Sequence, residues 1–156
     1  MSAQLPPWPT TICTSTAIRR ADRALSRLYD EALRPTGLTT TQYSLLSIID
    51  RAPGPLTLGD LAEAQVMDRT TLSRNVAPLR RDGLVHVASG KDRRTKVISL
   101  TGAGASLLES ARPRWRTAQE RLVAVTGVDA HQHLLDDLAR LVERVRQLDV
   151  ETWEHR

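Results

Sequence analysis

A chain of 156 residues, 40% hydrophobic and 26% charged with a formal net charge of +4, has the makings of one folded domain with a proper core, which excludes a disordered chain. Charge interrupts every apolar stretch short of the roughly 18 residues that a membrane-spanning helix needs, and MSAQLPPWPTT is not a signal peptide, so a cytoplasmic protein with no membrane association is expected. Cys13 is the single cysteine, which excludes an intramolecular disulfide and leaves an intermolecular bridge or a reactive thiol open.

Past the proline-rich start, Thr14 or Ser15 is placed to cap a helix in which Ile18, Ala21, Leu25, Leu28 and Ala32 recur at steps of three and four, one narrow apolar seam. Arg34-Pro35-Thr36-Gly37 ends it, and Thr39 to Thr41 offers caps for a second helix carrying Tyr43, Leu45, Leu46, Ile48 and Ile49. Apolar on most sides, that helix is expected to be buried before Pro53-Gly54-Pro55 stops it. Leu56-Thr57-Leu58 reads as a short strand leading into a brief helix from Leu58 to Ala64, with Gln65-Val66-Met67 as a turn. Asp68 then caps a helix in which Leu72, Val76 and Leu79 face the core and Arg69, Thr70, Ser73 and Arg74 occupy the polar side. Pro78 removes a backbone donor and crowds the carbonyl of Arg74, predicting a bend late in this helix. Leu84 to Ala88 and Lys96 to Leu100 alternate apolar and polar residues, as two half-buried strands joined by a turn containing Gly90.

From Thr101 the helical pattern returns with Leu108, Ala111, Trp115, Ala118, Leu122 and Val125, interrupted by Pro113 and stopped by Gly127. The last helix sets Leu134, Leu138, Leu141, Val145 and Leu148 on a heptad seam. One small domain offers too little internal surface for three such seams, and each buried leucine is worth roughly 1.5 to 3 kcal/mol, so a homodimer is expected. The expected fold is mainly α with a small β-hairpin wing. A winged helix-turn-helix lobe over residues 38–100 is flanked, within a single domain over 1–156, by dimerisation helices over 12–34 and 101–150.

Charge singles out one stretch. From Arg69 to Lys96 there are eight arginine or lysine residues against Asp82 and Asp92, a net charge of +6 in a chain totalling +4, which leaves −2 for the remainder. Clustered cations beside an exposed helix and a basic turn are the electrostatic footprint of double-stranded DNA binding.

The chain resembles the MarR family of bacterial winged helix-turn-helix regulators from about Cys13 to the C-terminal helix. The resemblance rests on Gly37-Leu38-Thr39-x-x-Gln42-Tyr43, Leu58-x-x-Leu61-Ala62 and Asp68-Arg69-Thr70-Thr71-Leu72-Ser73-Arg74. It continues in Leu79-x-x-Asp82-Gly83-Leu84-Val85, Asp92-Arg93-Arg94 and Ile98-Ser99-Leu100-Thr101-x-x-Gly104. It implies a homodimer, usually a repressor, that holds a pseudo-palindromic site near a promoter and is released by a small molecule or by cysteine oxidation. It also implies that Asp92 braces the wing while Arg94 enters the minor groove, whose narrow form concentrates negative potential. With Lys91 and Arg93 the wing then grips the duplex, while Arg69, Thr70, Ser73 and Arg74 reach bases or phosphates, Arg74 being the candidate guanine reader. Arg80 and Arg81 are left for phosphate or solvent. Two recognition helices in a dimer should enter major grooves about 34 Å apart.

The effector is less legible. In the family a ligand pocket lies between the dimer helices and the DNA-binding lobe, where Tyr43 and Trp115 with Arg19 or Arg20 can form an aromatic wall and a cation for an aromatic acid. The alternative is that both rings are core or dimer residues. Cys13, just before the first helix, is either a thiol sensor or an inert packing residue. No cofactor, metal site or enzyme is expected: His86, His131, His133 and His155 have no ligand spacing, and no nucleophile motif or phosphate-binding glycine loop occurs. A winged helix used only for protein interaction is the remote alternative.

Overall fold

The computed structural model describes residues 13–90, 92 and 95–148, and among these lie six α-helices, a 3-10 turn and three short strands. Helix α1 (Thr14–Leu33) runs into the 3-10 turn Arg34–Thr36, which Gly37 closes in a left-handed conformation at φ 74°. The expected Thr14 or Ser15 cap is corrected: both residues are already helical, and Cys13 is the N-cap, without a side-chain capping hydrogen bond. Helix α2 (Thr40–Arg51) is capped by Thr39, whose Oγ1 accepts from the Gln42 N–H while Gln42 Oε1 accepts from the Thr39 N–H, a reciprocal capping box.

Strand β1 (Leu56–Thr57) leads into helix α3 (Leu58–Ala64), and after the turn comes helix α4 (Arg69–Arg81). Despite Pro78, α4 continues to Arg81 and ends at Gly83, where φ is 70° and the Leu84 N–H returns to the Leu79 carbonyl at 2.8 Å. Strands β2 (Val85–Ser89) and β3 (Lys96–Leu100) pair antiparallel, with Val87 opposite Ile98. Leu84 lies outside β2 because its N–H and carbonyl serve the turn and Thr101, so the first strand starts one residue later than expected. The wing is also wider than a hairpin. β1 joins the far edge of β3, with Leu56 opposite Ile98, to give the sheet order β1-β3-β2.

Helix α5 (Gly102–Thr126) and helix α6 (Val128–Arg146) complete the chain, separated by Gly127 at φ 82°. Packing divides the molecule into two compact units, one up to Arg116 and one from Thr117. In the first, fully buried Leu33, Leu45, Leu46, Leu61, Leu79, Ile98 and Leu108 form the core. That core takes residues from α1 and the first half of α5 as well as from 38–100, because a short three-stranded sheet and three helices cannot cover their own apolar faces. In the second unit the buried His131 Nε2 meets Gln119 Nε2 at 2.9 Å, whereas Leu134, Leu135, Leu138, Val142, Val145 and Leu148 stand exposed along α6 and beyond its end. No helix among the described residues is long and apolar enough to cross a membrane.

Candidate nucleic-acid interface

Helix α4 is presented by two local devices. Asp68 caps it: one carboxylate oxygen accepts from the Thr71 N–H at 2.9 Å and the other from Thr71 Oγ1 at 2.6 Å. Those bonds, the hydroxyl first, hold the Asp68 carboxyl below its ordinary range. Leu72, Val76 and Leu79 then seat one side in the core, which leaves Arg69, Thr70, Ser73 and Arg74 exposed. The turn before α4 is tied back by a Gln65 Nε2 to Ser44 Oγ hydrogen bond of 3.2 Å, and it holds Val66 at φ 52°, a conformation that β-branched residues avoid.

The wing approaches the same helix. A cleft of about 340 Å³ is lined by Thr57, Leu58 and Gly59 from β1 and the start of α3, by Arg69, Leu72 and Ser73 from α4, and by Thr95 and Lys96 at the tip end of the wing strands. Two of the expected site residues, Arg69 and Ser73, are therefore brought together with the wing, while Thr70 and Arg74 lie outside this cleft on the exposed side of α4. Thr57, Thr95 and Lys96 are additions to the expected set. Thr57 could have been found from Thr57-x-x-Asp60, since its hydroxyl accepts from the Asp60 N–H at 3.0 Å in a second capping box. Lys96 Nζ donates to Ser89 Oγ at 3.0 Å across the β2–β3 ladder, which ties down a cation that lines the cleft.

At the wing tip the Gly90 N–H bonds to the Thr95 carbonyl and the Thr95 N–H to the Asp92 carbonyl, both at 2.8 Å. Asp92 is exposed at this turn. Lys91, Arg93 and Arg94 lie outside the described residues.

The residues considered for an effector pocket separate into two groups. Trp115 stacks on Tyr43 with ring centroids 5.7 Å apart and planes at 17°, and on Tyr29 at 6.3 Å and 20°. Tyr29 was not anticipated, although it falls between Leu25 and Leu33 on the same side of α1. Tyr43 and Tyr29 are buried and Trp115 is half-buried against the core. Arg19 and Arg20 stand nine or ten residues before Tyr29, about 14 Å along the helix at 1.5 Å per residue, Arg19 exposed and Arg20 half-buried. Arg112 of α5 donates from Nε to Glu109 at 2.7 Å and from Nη2 to Asp50 of α2 at 2.6 Å, and these bonds, the one to Glu109 first, raise its pKa further.

Cys13 is exposed, and the backbone N–H groups of Thr16 and then Ser15 favour its thiolate and lower its pKa. No group of three or more metal-ligating side chains occurs among the described residues.

Residues 36–95 match the MarR family. The chain is similar to the M. tuberculosis transcriptional regulator MosR, solved in complex with DNA, with 40% identity over 86% of this chain and 99% of that one at a TM-score of 0.77. It is also similar to the transcriptional repressor CouR bound to a 23-mer DNA duplex, with 25% identity over 90% and 99% of the two chains at a TM-score of 0.77. The transcriptional activatory protein BadR of Rhodopseudomonas palustris is 27% identical over 143 residues, 83% of this chain and 82% of its own length.

Proposed function

The chain belongs to the MarR family of DNA-binding winged helix-turn-helix transcriptional regulators, which are not enzymes, and from that premise we propose that it works as a homodimeric repressor on a pseudo-palindromic operator. The observation that carries this reading is the shared cleft: Arg69 and Ser73 of the recognition helix face Thr95 and Lys96 of the wing, so one duplex can meet both elements at once. Thr70 and Arg74 project beside it and read bases or phosphates. The wing grips the backbone with Lys91 and Arg93 and sends Arg94 into the minor groove, braced by Asp92. Dimerisation is supported by the row of exposed leucines and valines on α6, which a second copy would cover. Repression is favoured over activation as the simpler output of occupying a promoter, and CouR is a repressor while BadR is an activatory protein.

Release is proposed to come from a small, planar acid. The stack of Tyr29, Trp115 and Tyr43 supports the aromatic wall of that reading, with Trp115 its half-buried member. A second reading, favoured by the exposed Cys13 and its lowered pKa, is thiol sensing: a peroxide oxidises the thiolate to the sulfenic acid and is itself reduced to water.

Footprinting and mobility shifts on the DNA upstream of the chain's own and neighbouring genes test the whole reading. The expected result is a protected two-fold site whose affinity falls by about 1–3 kcal/mol with Arg74→Ala, and less with Arg94→Ala. Weak binding indifferent to sequence and to both substitutions would leave the winged helix as a protein-interaction scaffold. Release by peroxide from the parent but not from Cys13→Ser selects the redox reading; release of both proteins by aromatic acids alone selects the ligand reading.

A further inference from the structure

Outside the winged lobe, positive charge collects on one face of α1. Arg19, Arg23 and Arg27 follow one another at every fourth position, a row of guanidiniums about 6 Å apart on the helix surface. All three are exposed, and none has a hydrogen bond or ion pair among the described residues. Two of the carboxylates within reach of the row are engaged elsewhere. Asp30 accepts from the Thr40 N–H and Thr40 Oγ1, both at 2.6 Å, and Glu31 is paired with Arg34. Asp22, three residues from Arg19, forms no pair with it. Tyr29 and Leu33, the buried residues of α1, lie to one side of this row, and the three arginines themselves face outward.

Like charges four residues apart destabilise a helix, so the row costs the isolated chain stability and calls for an anionic partner. A membrane surface fits less well, because an interfacial helix must insert an apolar face beside its cations, and Tyr29 and Leu33 of α1 are buried in the core. A duplex fits well. It carries a charge about every 1.7 Å along its axis, so a row about 12 Å long finds phosphates in any register.

We propose that Arg19, Arg23 and Arg27 form a second, sequence-independent phosphate-binding face for DNA, separate from the recognition helix and wing. The proposal rests on the DNA-binding reading of the chain and adds a contact that the winged lobe does not supply. By holding flanking or second-duplex DNA, the face raises affinity without altering which sequence is read.

The test is the salt dependence of binding to a fluorescein-labelled duplex of random sequence, for the parent, for Arg19→Gln/Arg23→Gln/Arg27→Gln and for the corresponding triple lysine variant. Glutamine keeps helix propensity, and circular dichroism with sedimentation checks fold and oligomeric state. Each lost phosphate contact removes about 0.9 from the slope of log K against log salt, so the glutamine protein should be shallower by roughly 2 to 3 per protomer. The lysine protein should recover the parent slope, and the footprint on a specific site should be unchanged in extent and sequence. An unchanged slope in a folded glutamine variant overturns the proposal. A slope that falls only because the protein has changed its oligomeric state also overturns it, by assigning the row to a subunit contact. Failure of the DNA-binding reading looks different: the parent itself then binds no duplex even at low salt.

Discussion

Gly104 lies so close against Leu84 that a β-carbon on it would fall 2.0 Å from the Leu84 carbonyl oxygen. That oxygen already accepts from the Thr101 N–H at 3.1 Å, and Thr101 Oγ1 donates to the Gly83 carbonyl at 2.7 Å while accepting from the Gly104 N–H at 3.0 Å. The start of α5 is thus locked onto the strand entry of the wing. Gly→Ala inside a helix ordinarily stabilises by roughly 0.5–1 kcal/mol, but here backbone must move to admit a methyl group. Gly104→Ala should therefore destabilise, by about 1–3 kcal/mol as overpacked sites do, with the loss read from urea unfolding. A variant as stable as the parent would mean that α5 can lift from Leu84 at no cost.

Val66 carries the opposite kind of strain. It is a β-branched residue at φ 52°, and its side chain is 60% exposed, so little burial compensates for the backbone conformation. The left-handed region costs such a residue roughly 1–2 kcal/mol, and asparagine tolerates it. Val66→Asn should raise the unfolding free energy by about 1 kcal/mol, and the denaturation midpoint should move upward without a change in slope.

The cap of the recognition helix makes a pH-dependent contribution. The Asp68 carboxyl has a folded pKa below its unfolded value, because Thr71 donates to the charged form through both Oγ1 and its backbone N–H. The stabilisation is complete above the unfolded carboxylate pKa near ~3.9 and is lost as pH falls through the lower folded value. Melting curves of the parent and Asp68→Asn should differ at neutral pH and converge in acid; a gap that persists at the lowest pH would assign the difference to shape instead of charge.

An apolar row stands exposed on α6 in the second unit, with Leu134 and Leu138 one turn apart at 45% and 36% exposure. Leu134→Glu/Leu138→Glu should convert the protein to a monomer in sedimentation experiments. Its operator affinity should then drop steeply, since each half-site must be held alone. A variant that stays dimeric would place the subunit interface elsewhere.

Much of this molecule was legible residue by residue. The periodic spacing of Leu72, Val76 and Leu79 announced which side of α4 is buried, Asp68 announced where it starts, and the crowding of arginine and lysine between Arg69 and Lys96 marked the candidate nucleic-acid face. These signals are local, since helical periodicity and capping act over three or four residues and net charge needs no fold to be counted. Contacts between residues distant along the chain required the folded chain. Pairing of Leu56 with Ile98 widened the wing to three strands, and Tyr29 joined Tyr43 and Trp115 from a third helix. The first half of α5 belongs to the lobe core through Leu108 and Ala111, and Gly104 is needed because of Leu84, twenty residues earlier. Periodicity reports that a face will be covered and is silent on what covers it; that depends on shape and close packing, which exist only after segments far apart in sequence have met.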